Sequence, residues 1–374
     1  VVSRQLQRGT AFSIATEQEI EYAAFLVGRV PAFDKIRFVN SGTEAVMSCL
    51  KAARAFTGRS KIAKVEGAYH GLYDYAEVSQ TSDPTNWGEA DQPKSNPVSR
   101  GTPPAALSDV VIIPFNDPER ALKILDKQAD EIACVLVDPL PHRVGMIPAT
   151  SEFVRALRDW CNRSRALLVF DEVITFRTTY GGAQRHYDVE ADLTALGKMI
   201  GGGFPIGALA GRDQVMGVMD PSMPPLLFPH SGTFSANPIS MVAGHACMRM
   251  FDEEAVDRLN VLGALAREQI AEAIRVSDIP ACVTGGGSMF RIHFKPEPPV
   301  DYRSNFADAV EMQYRQAFLD YMFDHGIMMI NTASGVLSTP MTEAEIDTLA
   351  ETMLGAFRTV REMMPKAAVA GPEA

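Results

Sequence analysis

Lys198 lies in Thr194-Ala195-Leu196-Gly197-Lys198-Met199-Ile200-Gly201-Gly202-Gly203, a stretch with no other charged side chain. Three glycines after it let other groups approach the backbone closely, and an amine in such surroundings reads as desolvated rather than as an ordinary surface cation. Desolvation lowers the pKa of a lysine and makes it a nucleophile able to form a Schiff base with an aldehyde. A loop lysine that merely precedes glycines is the alternative. Asp171 closes the apolar run Leu167-Leu168-Val169-Phe170, at the carboxyl end of a buried strand. A carboxylate there can ligate a metal, cap a helix or pair with a cation on a ligand.

Taken together, the two residues have a more specific use. The ring nitrogen of pyridoxal phosphate needs an anion to stay protonated, so that the ring can absorb carbanion electrons. A hydrogen bond of that charged kind contributes about 1.5–3 kcal/mol, enough to hold a protonation state. The phosphate needs donors, and Ser41-Gly42-Thr43 offers two hydroxyls and backbone N–H groups at a helix start, where the macrodipole favours an anion. An ordinary N-cap would have the same sequence. Tyr69-His70-Gly71 follows a strand, where an aromatic ring can stack on a pyridine ring. A core or loop tyrosine is the alternative.

The elements that must carry these residues are legible as hydrophobic periodicity. A helix is expected from Thr16 to Val27, with Thr16 near its start and Gly28 just past its end. Strands are expected at 36–39, 61–65, 110–113, 133–137 and 166–170. Helices fit between them: one after the Ser41/Glu44 capping pair, one at 122–130 and one at 151–162. Alternation of this kind implies an α/β fold with a mostly parallel sheet and ligands at the carboxyl ends of its strands. Residues 79–108, with five prolines and two glycines, read as a long irregular loop. From Pro238 the pattern changes to helices at 239–250, 252–274, 305–325 and 342–364, with strands at 290–294 and 327–330 between them. The expected organisation is a remnant of an N-terminal segment at 1–30, a large domain at 31–250 and a smaller α+β domain at 251–374, fraying from Pro365.

Bulk properties narrow the classes. The 374 residues are 46% hydrophobic, which supplies ample core, and the net charge of -11 leaves no basic stripe for nucleic acid or an anionic membrane. Five cysteines without CxxC spacing suit a reducing compartment, so a cytoplasmic location and no structural metal are expected. No run is apolar enough to span a bilayer, and Val1 in place of methionine suggests that the true N-terminus is absent.

The motifs resemble, in order, those of the class III, fold type I aminotransferases that use pyridoxal phosphate. The resemblance is strongest to the branch holding glutamate-1-semialdehyde aminomutase and β-amino-acid aminotransferases. It rests on Phe38-Val39-Asn40-Ser41-Gly42-Thr43-Glu44-Ala45, Glu66-Gly67-Ala68-Tyr69-His70-Gly71, Val169-Phe170-Asp171-Glu172-Val173, Leu196 to Gly207 and His230-Ser231-Gly232-Thr233-Phe234. It implies that Lys198 forms the Schiff base and carries the proton, that Asp171 holds the ring nitrogen, and that Tyr69 and Val173 cover the two ring faces. It further implies that Ser41, Gly42 and Thr43 bind the phosphate, that His70 belongs to the cofactor site, and that Thr233 reaches the phosphate of a homodimer partner. The implied activity is ping-pong transfer of an amino group between an amino acid or amine and an oxo acid or aldehyde. An aminomutase or racemase on the same scaffold is the alternative, and a catalytically silent cofactor-binding protein a more remote one.

Three departures from the family pattern bear on specificity. The glycine usual before the arginine is missing from Asp171-Glu172-Val173-Ile174-Thr175-Phe176-Arg177, so the shortened turn either swings Arg177 toward the substrate or tightens the loop, and the resemblance implies the structural role that the matching arginine has in relatives. Arg143 stands near the place where several relatives carry a gating glutamate, and its fork could bind a substrate carboxylate bidentately. The loop at 330–335 has no arginine. Several tens of residues that would form part of the small domain and one wall of the substrate pocket are expected to precede Val1. The glycines at 201–207 lack dinucleotide spacing, and Met199 after Lys198 rules out a P-loop.

Overall fold

A computed structural model describes residues 1–12 and 14–365. Contacts divide the chain into two compact units: Val1–Arg258 with Val300–Ser304, and Leu259–Pro299 with Asn305 onward. The fraying expected beyond Pro365 lies outside the described residues.

The first unit is built on nine strands: β1 (Lys35–Val39), β2 (Lys61–Val65), the short hairpin β3 (Gly88–Glu89) and β4 (Gln92–Pro93), β5 (Val110–Ile113), β6 (Ile132–Val137), β7 (Leu167–Asp171), β8 (Leu193–Gly197) and β9 (Gly207–Gly211). Seven of them form one sheet in the order β1-β9-β8-β7-β6-β2-β5. β5, β2, β6, β7 and β8 run parallel, whereas β9 is antiparallel to both of its neighbours. β5, β6 and β7 are buried at every position, which is why each reads as an unbroken apolar run rather than an alternation. One core cluster gathers Val135, Phe153, Leu157, Trp160 and Phe170, and another gathers Val46, Leu50, Leu136, Val169 and Leu193.

Register explains why the site lies at one edge. Val39 of β1 and Gly197 of β8 both pair with Gly207 of the intervening β9. The segments leaving β1 and β8, which begin at Asn40 and Lys198, therefore emerge side by side. A Cβ at Gly207 would stand 2.0 Å from the Ser41 carbonyl oxygen, so only glycine lets the three segments close up.

The helix Glu17–Arg29 is capped by Thr16, whose side chain accepts from Glu19 N–H. It continues through Gly28, past the end expected from the sequence, because Arg29 is held by the carbonyls of Tyr180, Met248 and Phe251. Gly42–Thr57 starts at Ser41, whose hydroxyl accepts from Glu44 N–H at 3.1 Å. The Glu44 carboxylate turns back to Asn40 N–H at 2.7 Å instead of closing a box on Ser41. The expected helix at 122–130 is Pro118–Asp126, since Pro118 and the Asp117 cap set an earlier start. Residues 79–108 hold the β3–β4 hairpin and the short helix Pro104–Ser108, and are otherwise turns and irregular chain.

In the second unit β10 (Cys282–Thr284), β11 (Met289–His293) and β12 (Ser334–Val336) form an antiparallel sheet. The strand expected at 327–330 is absent. Pairing falls instead at 334–336, where Gly335 gives room to the Phe290 ring. The helix expected at 305–325 begins only at Ala309, because the Asp308 and Glu311 capping box fixes its start. Phe294, Phe318 and Phe357 pack together there, joining β11's end to the helices Ala309–Asp324 and Glu343–Met363.

Candidate active site

Four parallel strands deliver chemistry at their carboxyl ends: β2 leads to Tyr69 and His70, β6 to Asp138, β7 to Asp171 and β8 to Lys198. Asp171 is 5% exposed, and its Oδ2 lies 2.8 Å from His70 Nδ1. Its Oδ1 accepts from Val173 N–H at 3.1 Å. Burial lowers the pKa of His70 against the opposing pull of Asp171. The neutral imidazole therefore carries its proton on Nδ1, donating to the carboxylate. The other ring nitrogen, Nε2, is buried and has no hydrogen-bond partner among the described residues.

Val173 joins the elements. Its methyl carbons would meet a Cβ on Gly42 at 3.0 Å and one on Gly197 at 3.2 Å, and Gly197 itself approaches the Gly42 Cα. The start of the helix Gly42–Thr57, the β7 exit and the β8 exit are thereby brought together. Gly71, at φ +91°, leaves room for Thr43, whose Oγ1 would lie 2.6 Å from a Cβ there. Ser41, Gly42, Thr43, His70, Asp171 and Val173 thus form one connected cluster. Helix geometry leaves the first-turn N–H groups without intrahelical partners, and the macrodipole makes that end attractive to an anion.

Lys198 has φ +47°, a left-handed conformation that costs a non-glycine residue roughly 1–3 kcal/mol. The turn after it is held from behind by Tyr22, whose buried hydroxyl donates to the Ile200 carbonyl. The sequence led to the expectation of a desolvated amine, and here the structure corrects it: the Lys198 side chain is exposed. The apolar residues around it belong to β8, which is buried, whereas the left-handed turn at its end sends the chain out of the sheet. The following glycines do permit close approach, but to protein: Gly202 faces the Ala243 carbonyl and Gly201 the Ile206 side chain.

Tyr69 is 40% exposed, and the Arg143 guanidinium lies 5.7 Å from its ring centroid. Arg177 is half-buried in the turn Thr175–Arg177, and burial lowers its pKa. Thr233 stands in the exposed stretch Ser231–Phe234, next to His230, whose Nδ1 accepts from Arg37 Nε at 3.2 Å.

Sequence reasoning assigned no role to three buried ionisable groups. Asp138 is raised well above the ordinary carboxyl range, first by burial and then by Asp171, while the charge of Lys198 pulls it back. Glu172 points inward, accepting from Ala183 N–H at 2.6 Å and Gln184 Nε2 at 3.1 Å, and burial pushes its pKa up to about 7. Lys64, in the middle of β2, donates to the Ala68 and Val78 carbonyls at 2.9 and 2.8 Å, and burial depresses it to about 7. A charged residue inside an otherwise apolar strand was the available signal for Lys64.

Against known proteins, the sequence model described as aminotransferase class-III matches residues 1–356. The chain belongs to this family. A glutamate-1-semialdehyde 2,1-aminomutase of Methanothermobacter thermautotrophicus is 38% identical over 328 residues, spanning 87% of this chain and 74% of the relative. A protein of the same name from Methanocaldococcus jannaschii is 39% identical over 302 residues, 80% and 68% of the two chains. Among solved structures, an omega-transaminase from Sphaerobacter thermophilus matches with a TM-score of 0.94 at 44% identity, covering 96% of this chain and 82% of that one. A β-phenylalanine aminotransferase from Variovorax paradoxus gives 0.84 at 30% identity, covering 98% and 80%. Class-III membership agrees with the resemblance drawn from the motifs, and the seven-stranded α/β sheet is the fold type I architecture that resemblance implied. Among the described residues no helix is long and apolar enough to cross a membrane.

Proposed function

We propose that this class-III chain is a pyridoxal-phosphate enzyme that moves an amino group between an amino acid or amine and an oxo acid or aldehyde, with ping-pong kinetics. The observation that carries the reading is the convergence on Val173 of the helix start at Gly42 and the β8 exit leading to Lys198, beside the Asp171–His70 pair. The residues fit such a group. A helix N-terminus stripped of Cβ at Gly42 suits a phosphate, and an acceptor-only carboxylate suits a ring N–H. When bound, pyridoxal phosphate supplies an electrophilic aldehyde carbon and an electron-accepting ring.

The chain's own residues then have distinct tasks. Gly42 and Thr43 offer N–H groups, with the Ser41 and Thr43 hydroxyls, to the phosphate. Asp171 accepts the ring N–H, and His70 keeps its carboxylate oriented. Tyr69 and Val173 would cover the two faces of the cofactor ring. The Lys198 amine would hold the cofactor at its aldehyde and would carry the proton released from the substrate carbon. Arg143, over the Tyr69 ring, takes the substrate carboxylate. Met223, Leu226 and Leu227, shortly before Thr233 in the chain, and Phe234 next to it are exposed large apolar residues, which supports a homodimer in which Thr233 reaches the partner's phosphate. A cytoplasmic setting suits the five unpaired cysteines.

An aminomutase on the same residues is the second reading, favoured by relatives of that name at 38% and 39% identity. Incubating the cofactor-loaded protein with a panel of amino donors and no acceptor separates them. Transamination bleaches the visible band and releases one equivalent of oxo acid. Isomerisation returns a rearranged amino compound without oxo acid, and racemisation returns the mirror image. No absorbance change with any donor would remove the catalytic reading altogether.

A further inference from the structure

Val300–Ser304 belongs to the first unit although the chain on either side belongs to the second. Its last three residues begin the single helical turn Tyr302–Asn305, and Ser304 N–H donates to Asp301 Oδ1 at 2.8 Å. Arg303 grips Glu66 bidentately, Nε to Oε2 at 2.9 Å and Nη2 to Oε1 at 3.1 Å. The same guanidinium donates to the carbonyls of Gly88 at 2.9 Å, Trp87 at 3.1 Å and Glu89 at 3.3 Å, and lies over the Trp87 ring. Tyr302 donates to the Ser82 carbonyl at 2.6 Å, and its ring fills the space that a Cβ on Gly67 would need. Burial and then Glu66 raise the pKa of the Tyr302 hydroxyl, while the charge of Arg143, the guanidinium over the Tyr69 ring, lowers it.

Glu66 is buried and immediately precedes the Gly67–Gly71 turn that carries Tyr69 and His70. Lys64 holds the same turn from within the sheet through the Ala68 carbonyl. A buried carboxylate left without its cation costs far more than the pair contributes, so loss of Arg303 favours protonation or displacement of Glu66 and with it of the turn that follows. Lysine is a poor substitute, since a point charge cannot reproduce a fork that serves two carboxylate oxygens and three carbonyls.

We propose that Arg303 is a positioning residue for the site: through Glu66 and the Gly67–Gly71 turn it sets where the Tyr69 ring and the His70 imidazole stand. The proposal rests on the reading of Tyr69 and His70 as cofactor-facing groups. A mere latch between loops would affect stability alone.

The test compares Arg303→Gln and Arg303→Lys with the unaltered protein. Amide hydrogen exchange is followed over Ala68–Gly71 without added cofactor, and pyridoxal phosphate affinity is measured by titration with circular dichroism of the bound chromophore. Exchange across the turn is expected to speed up at least about tenfold in R303Q, with the helix Ser151–Ser164 unchanged. Cofactor Kd should rise about tenfold or more with an altered dichroic band, and R303K should fall between. R303K still neutralises Glu66 and is the variant that decides if R303Q does not fold. A lowered Tm with turn exchange and Kd both within twofold of the unaltered protein would overturn the proposal. Failure of the unaltered protein to take up pyridoxal phosphate would sink the functional reading instead, and the exchange measurement would then decide the positioning role by itself.

Discussion

His70 Nδ1 stands 2.8 Å from Asp171 Oδ2, with both side chains buried at the exits of β2 and β7. A carboxylate so held has one geometry open to it, and its second oxygen is fixed by Val173 N–H. Replacing His70 by phenylalanine keeps a planar aromatic ring and removes the donor. Loss of a hydrogen bond to a charged group costs about 1.5–3 kcal/mol, so kcat/KM should fall roughly 10- to 150-fold. Steady-state kinetics on the cofactor-saturated variant check this, and an unchanged kcat/KM would mean that Asp171 needs no orienting partner.

Glu172 ties folding to pH. Its carboxyl is raised from 4.5 to about 7 in the fold, chiefly by burial. Between those values the native state holds a proton that the unfolded chain has released. Its contribution to stability is therefore complete below about 4.5 and is lost as pH rises through about 7. Thermal midpoints measured from pH 4.5 to 7 should decline more steeply for the natural protein than for Glu172→Gln. Parallel curves would show that Glu172 ionises in the fold as it does in water.

Gly207 has no space for a methyl group. An added Cβ would lie 2.0 Å from the Ser41 carbonyl oxygen, and backbone atoms cannot swing aside as a side chain can. Gly207→Ala should destabilise by about 1–3 kcal/mol and displace the start of the helix Gly42–Thr57. Denaturant unfolding monitors the first effect. Weakened phosphate binding, by titration with inorganic phosphate, monitors the second.

Arg143 is the exposed cation over the Tyr69 ring. If it receives a substrate carboxylate, Arg143→Ala should raise KM about tenfold or more for amino-acid donors and leave simple amines within twofold. Equal changes for both donor classes would assign it to packing on Tyr69.

Much of the site was readable before any coordinates because it is assembled from strand ends, where apolar runs stop abruptly at polar residues. Asp171 after Phe170 and Ser41 after Val39 and Asn40 are of this kind. β8 and β9 were not read as strands. Gly197, Gly207 and Gly211 weaken their periodicity, and the registry with β1 that requires those glycines is a tertiary fact. The exposure of Lys198 escaped for a related reason: local composition reports the strand it follows, not the left-handed turn on which it sits. For Asp138 and Glu172 the sequence carries no sign of burial, and it is their enclosure in the fold that marks them out.

The return of Val300–Ser304 to the first unit limits how this protein can be recombined with its relatives. A chimaera that exchanged everything after Arg258 in one block would import a foreign partner for Glu66 along with the new module. Crossovers placed at Arg258, Pro299 and Ser304, so that five native residues are retained inside the exchanged block, would keep that ionic contact native.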